Sequence, residues 1–256
     1  MEERSSRGIQ SVEVGGQLLL ALAHHGRPLA LKDLAREAGM APGKAHPYLV
    51  SFGKLGLIEQ DPATGRYGLG PLAMQLGLIS LQQYDPVRLA TPLIEDLAQS
   101  LGHTVAIAVW GDRGPTIVRV AEGPSPVHIS MRHGTVMSLR GTASGWLFAA
   151  HRPSAAVDEV LAHEPPGSPE FDAAAFAARL DEVRAQGAAR AVDLSVPGVS
   201  AMAAPVFDGA GAMVLSITAI GPSAALDTAW DGSVARTLKR CALELSRRLG
   251  ASPAVA

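Results

Sequence analysis

Between residues 12 and 55 the apolar positions fall three and four apart in three successive runs, the spacing that gathers them on one side of a helix. In "VEVGGQLLLALAHHG" Leu18, Leu19 and Leu22 make the inner stripe and Gly26 stops the run. In "LKDLAREAG" Leu31, Leu34, Ala35 and Ala38 follow the i, i+3, i+4, i+7 pattern. Gly39 ends it, since glycine takes a left-handed position without steric cost. A third helix follows within a few residues, with Ala45, Leu49, Phe52 and Leu55 inward and Lys44, Pro47, Ser51 and Lys54 outward. "LGLIEQDPATGRYGLG" then alternates as a strand pair, with Asp61-Pro62 and Thr64-Gly65 supplying the turn and Arg66 at its tip. Two short helices around a tight glycine turn, a third helix and a hairpin predict a winged helix-turn-helix over residues 8–70.

The pattern then changes. "GPLAMQLGLISLQQ" carries Leu72, Leu76 and Ile79 on one stripe and predicts a linker helix over 71–84, punctuated by Asp85-Pro86. An apolar stripe between two domains fits pairing with another chain better than a solvated connector. "PVRLATPLIEDLAQSLG" predicts a helix ended by Gly102, bent or restarted at Pro92. "HTVAIAVW", "PTIVRVAE" and "VHISMR" predict strands, and "GTASGWLFAAH" a helix that opens on small residues. A long helix from Asp172 to Gln186, strands "VSAMAAPVFD" and "GAMVLSITAIG", and a last helix from Ser233 to Gly250 complete an α+β domain over 85–252.

Composition narrows the classes. Of 256 residues, 47% are hydrophobic and 18% charged, enough for sizeable cores and against disorder. The net charge of −2 gives no case for nucleic acid over the whole chain. Residues 1–84 hold eight Lys or Arg against seven Asp or Glu, and the remainder fourteen against seventeen, so only the N-terminal region leans positive. A single cysteine, Cys241, excludes an intrachain disulfide and, set in an amphipathic helix, reads as a core thiol. The opening "MEERSSRGIQ" lacks the apolar run of a signal peptide, and no stretch approaches the ~18 apolar residues of a membrane span. These features predict a cytoplasmic protein.

Candidate DNA contacts are Lys32, Lys44, His46, Tyr48, Ser51, Arg66 and Tyr67, on the outer face of the third helix and around the hairpin. Tyr48 serves equally well as packing beneath the hairpin. Pro47 interrupts this helix: an interior proline loses a hydrogen bond, collides with the carbonyl four residues back, and costs ~3 kcal/mol or more. The conflict is avoided if the regular helix starts a turn late, with "APGKAH" as an irregular lead-in.

The stretches "IQSVEVGGQLLLAL", "LALKDLAREAGM", "KAHPYLVSF", "LGLIEQDPATGRYGLGPLAMQLG" and "AAPVFDGAG" together resemble the IclR-type bacterial transcriptional regulators. That resemblance implies a winged-helix DNA-binding domain, a linker helix, and a profilin- or GAF-like C-terminal domain that senses a small organic molecule, in dimers or tetramers. The family pattern has His-Arg where this chain has His46-Pro47, so an arginine directed to the groove is missing. By position the effector lining includes Thr142, Ala143, Asp193, Val199, Ala201, Thr218 and Ile220, and the "D-x-G-E" feature of the family is reduced here to Asp193 in "AVDLSVPGVS". Val199, Ala201 and Ile220 fit ordinary sheet core as well as pocket lining.

The residues add that the helix start at Thr142, Ala143 and Ser144, with Arg140 before it, is suited to an anion. Arg119, His128, Arg132 and His133 nearby favour a carboxylate, although alternating charges on a strand also make a solvated face.

Catalytic patterns do not emerge. His24-His25 and the pair His128 and His133 lack metal spacing, so no metal or cofactor is expected. "GTASG" lacks the strand-to-helix setting of a nucleophile elbow, and "GDRGPT" and "GAG" are turns. The reading is a non-enzymatic regulator whose partners are double-stranded DNA, a small organic effector and copies of itself, with no membrane. Two other readings remain: a small-molecule-binding protein whose operator binding Pro47 has reduced or abolished, and an enzyme with a DNA-binding appendage.

Overall fold

A computed structural model describes residues 8–82, 84–125, 129–164 and 172–252. The chain divides between Tyr84 and Asp85 into two compact units.

In the first unit, α1 (Gln10–His25), α2 (Leu31–Glu37) and α3 (Pro42–Leu55) pack around Leu18, Leu22, Leu34, Ala35, Ala45 and Leu49. β1 (Ile58–Gln60) and β2 (Tyr67–Leu69) form an antiparallel hairpin, and α4 (Pro71–Gln82) follows. Gly26 and Gly56 end α1 and α3 in left-handed conformations, with φ of 63° and 77°.

Two expectations need correcting here. The helix does not start a turn late: α3 runs unbroken through Pro47. The Ala41 carbonyl accepts from both Lys44 (2.9 Å) and Ala45 (3.0 Å), so the first turn is closed before the proline is reached. The carbonyl deprived of its donor belongs to Gly43, which is exposed, so water can take the place of the lost bond. Leu55 does not face the core but is 61% exposed. Position 56, about 100° further round, continues the stripe from Ala45, Leu49 and Phe52, and leaves Leu55 off it.

The second unit is built on a five-stranded antiparallel sheet of β3 (Thr104–Gly111), β4 (Gly114–Ala121), β5 (Ala189–Val192), β6 (Val199–Phe207) and β7 (Met213–Pro222), in the order β4-β3-β7-β6-β5. Register assigns the two faces. Val105, Ala219 and Met202 form one row and Ile107, Ile217 and Ala204 the next, under α5 (Pro86–Leu101) and α9 (Ser233–Arg248). The alternate positions, Ala106, Thr218 and Ala203, then Thr104, Ile220 and Ala201, face the opposite side. There α6 (Ala143–His151) packs, backed by α7 (Ser154–His163) and α8 (Ala173–Gln186).

α5 is one helix, with Pro92 inside it, an Asp85 cap accepting from the Arg88 N–H (2.9 Å), and Gly102 as its stop. No strand forms over the described part of "VHISMR". Val127 and His128 lie outside the described residues, and Ile129 to Arg132 join no ladder. This segment instead crosses the face of the sheet, held by Thr104 Oγ1 donating to the Ile129 carbonyl (3.0 Å) and Ile117 N–H donating to Thr135 (2.9 Å).

Candidate functional site

The first candidate surface is the exposed side of α3 with the hairpin beside it. Lys44, His46, Pro47, Ser51 and Lys54 are all exposed along α3, Lys32 is exposed on α2, and Arg66 is exposed at the hairpin. The loop between the strands is held from within. Asp61 accepts from the Ala63 N–H (2.8 Å) and the Thr64 hydroxyl (2.6 Å), and Gln60 Nε2 donates to the Gly65 carbonyl (3.0 Å). The Thr64 hydroxyl, then the Ala63 N–H, hold the Asp61 carboxyl below the usual carboxylate range. The Arg66 carbonyl accepts from Asp61 N–H (2.9 Å), so Arg66 stands at the base of this loop rather than at its tip.

Two of the candidate contacts also pack within the unit. Tyr67 is 9% exposed at the floor of the cleft between α3 and the hairpin, its backbone paired with Leu29 in both directions (2.8 and 2.9 Å), so little of its ring is open. Tyr48 is half-buried and packs on α1: a Cβ placed on Gly15 would lie 2.8 Å from its ring. Only glycine at position 15 lets that ring close on the helix.

The second candidate is a cavity of about 390 Å³ between the sheet, the start of α6, the crossing segment and the loop before β6. It brings together Thr142, Ala143, Ser144, Val199, Ala201, Thr218 and Ile220. Ile129, Met131 and Met137 of the crossing segment give it an apolar roof, packed against Ala106, Ile117 and Ile220. Most of its polar groups are already paired. Thr142 caps α6, accepting from the Gly145 N–H (3.0 Å) and donating to the Ser138 carbonyl (2.6 Å). The buried hydroxyls of Ser144 and Thr218 bond one another at 2.8 Å. Ser195 donates to the Gly141 carbonyl (2.6 Å) and so ties the loop before β6 to the α6 start. The N–H groups of Ala143 and Ser144 have no acceptor among the described residues, and they lie at the positive end of the helix.

Arg140 and Asp193 do not line this cavity. Arg140 turns to the end of α7, where Nη2 donates to the Leu161 carbonyl (3.0 Å) and Nε lies 3.4 Å from Glu164. Asp193 holds its own loop: with φ of 52° it accepts from the Gly198 N–H (2.8 Å) and the Ser223 hydroxyl (2.7 Å). Arg132 is the charged residue at the mouth, and Arg119 and His133 lie outside the lining. Sequence reasoning did not find Met131, Met137, Thr135, Leu194 or Ser195. Their irregular backbone shows no periodicity, and two methionines close together were the only available signal.

No helix among the described residues is long and apolar enough to cross a membrane.

Comparison with known proteins finds relatives for both domains. The IclR helix-turn-helix domain matches residues 11–62, and the IclR C-terminal domain of bacterial transcriptional regulators matches residues 79–247. The glycerol operon regulatory protein of Streptomyces griseus is 34% identical over 96% of this chain and 98% of its own length. Its counterpart in Streptomyces coelicolor is 31% identical with the same coverage. The crystal structure of Pseudomonas aeruginosa HmgR superposes with a TM-score of 0.88 at 34% identity, covering 96% of this chain and all of that one. The chain belongs to the IclR family of bacterial transcriptional regulators.

Proposed function

We propose that residues 8–70 read a duplex operator through α3 and the hairpin, that 71–84 connect and pair subunits, and that 85–252 sense a small organic anion. The exposed cations Lys32, Lys44, Lys54 and Arg66, together with His46, support the first part, and Ser51 on the same face keeps a hydroxyl oxygen free to accept. The apolar side chains Met74, Leu76, Leu78 and Ile79 stand exposed on α4, which supports assembly as a dimer or a pair of dimers. Two paired subunits present two recognition helices at a fixed spacing, and a near-palindromic site would match them.

The observation that carries the effector reading is the pair of unbonded N–H groups at Ala143 and Ser144, facing a cavity with an apolar roof. A carboxylate accepts from those two donors while an apolar or aromatic body lies against Met131, Met137 and Ile220, with Arg132 at the entrance. Such a body suits the roof better than a polyol. The protein acts in the bacterial cytoplasm by binding and not by turnover: of the two hydroxyls at the helix start, Thr142 caps the helix and Ser144 is buried against Thr218, and both are spent on structure. Calorimetry with a panel of aromatic and aliphatic carboxylates, beside their amides and glycerol, tests this. Binding of carboxylates that is lost in the amides supports the reading, and equal binding of the neutral compounds contradicts it.

A further inference from the structure

The side chains that best read base edges are missing from α3. Between Pro42 and Leu55 there is no Arg, Asn, Gln, Asp or Glu, so of the side chains that pair with guanine, adenine and cytosine edges α3 keeps only its two lysines. Lys44 and Lys54 are single-point donors ten residues apart, about 15 Å along the axis. Ser51 lies between them, but its Oγ donates to the Pro47 carbonyl (2.9 Å), so its proton is spent inside the helix. Beside His46 and Ser51, the middle of the exposed strip carries two hydrocarbon groups, the Pro47 ring and, one turn on, Val50 with 43% of its surface open. Val50 stands at the rim of the cleft between α3 and the hairpin, beside His46 and Gly53.

Both groups keep apolar surface open on a face flanked by lysines. The apolar feature that a major groove offers is the thymine C5-methyl group. We infer that α3 reads thymine methyl groups at the centre of each half-site, through Pro47 and Val50, and leaves the lysines at its ends to phosphate or guanine. This rests on α3 being the DNA-reading element. The intact helix through Pro47 gives the proline a use: it presents a rigid ring at the groove where an arginine would present a fork.

The test begins with the genomic fragment that the full-length protein selects. Each thymine in one half-site is replaced in turn by deoxyuridine, which removes only the methyl, and binding is followed by fluorescence anisotropy. One or two positions should lose about fourfold in affinity per methyl, the equivalent of one buried methyl-sized group. Salt dependence should not change, since no phosphate contact is altered. Val50→Ala should bind thymine and uracil equally at one of those positions, and Val50→Thr, which keeps the side chain's shape, checks that lost folding is not the cause. Uracil tolerated at every position, or sensitivity that survives in both Val50→Ala and Pro47→Ala, would overturn the inference while leaving DNA recognition intact. If no fragment is bound at all, methyl reading falls together with the DNA-reading role of α3, and that result is distinct from the first two.

Discussion

Ser144 and Thr218 show how much of the cavity rests on single atoms. Their hydroxyls satisfy each other in a setting where both residues are only 3% exposed. Ser144→Ala strands the Thr218 hydroxyl and should destabilise the second unit by about 1–3 kcal/mol, whereas Ser144→Ala with Thr218→Val, which removes both partners, should recover most of that loss. All three tryptophans, Trp110, Trp146 and Trp230, belong to this unit, so denaturant unfolding followed by tryptophan fluorescence reports it directly. A double variant no more stable than the single one would show that the pair is not the source. His151 gives a second residue-level prediction. Burial, then the charge of Arg184, holds its pKa below the ordinary 6.5. The folded imidazole is therefore the weaker base, and the unfolded chain takes up the proton first. Stability should be level above pH 6.5 and fall as the pH drops from there towards the lower folded value. His151→Gln should flatten that fall, and an unchanged slope in the variant would remove His151 as its cause.

The elements divide into those with a pattern to read and those without one. α1, α2 and α9 follow from apolar spacing, because each buries one face against a core, and β3, β4, β6 and β7 from short apolar runs, because the sheet is covered on both faces. β5 is four residues at the sheet edge and α7 a short helix buried mainly at Val157 and Val160, and neither left a periodic signal long enough to read. The start of α3 was not legible because the cost of an interior proline depends on whether water reaches the carbonyl it leaves unpaired, here that of the exposed Gly43. In the cavity, the residues on β6 and β7 came from the family resemblance rather than from any pattern in the chain, since alternation alone left Val199, Ala201 and Ile220 equally suited to sheet core, and the α6 start came from the resemblance together with its small residues. Arg140 and Asp193 were not legible, since loop geometry decides where a polar side chain turns, and both turn to local partners. The close approach of α6 to the loop before it was equally hidden. A Cβ on Gly145 would collide with the Ser138 carbonyl and come within 2.8 Å of Leu139 Cα. Gly145→Ala should push the helix start off that loop and lower carboxylate affinity at least tenfold in calorimetry. Unaltered affinity would mean that the α6 start does not shape the site.

At the scale of the whole molecule the regulator has two tasks, and coupling between them requires the effector to bind DNA-competent and incompetent arrangements unequally, typically by ~1–3 kcal/mol. Assembly is the first condition. Leu76→Glu with Ile79→Glu places charge on the exposed apolar face of α4 and should shift the protein towards monomer in sedimentation velocity, with operator affinity falling at least tenfold. Unchanged oligomers would move the subunit contact to another surface. DNA recognition itself comes before all of this. Purified full-length protein is used to select fragments from random genomic DNA, and the best fragment is titrated at two salt concentrations. One enriched motif with paired half-sites, bound less tightly as salt rises because phosphate contacts release counterions, is the expected result. A folded protein that enriches no motif, or whose DNA affinity ignores salt, would contradict the assignment of α3 and the hairpin as an operator-reading surface.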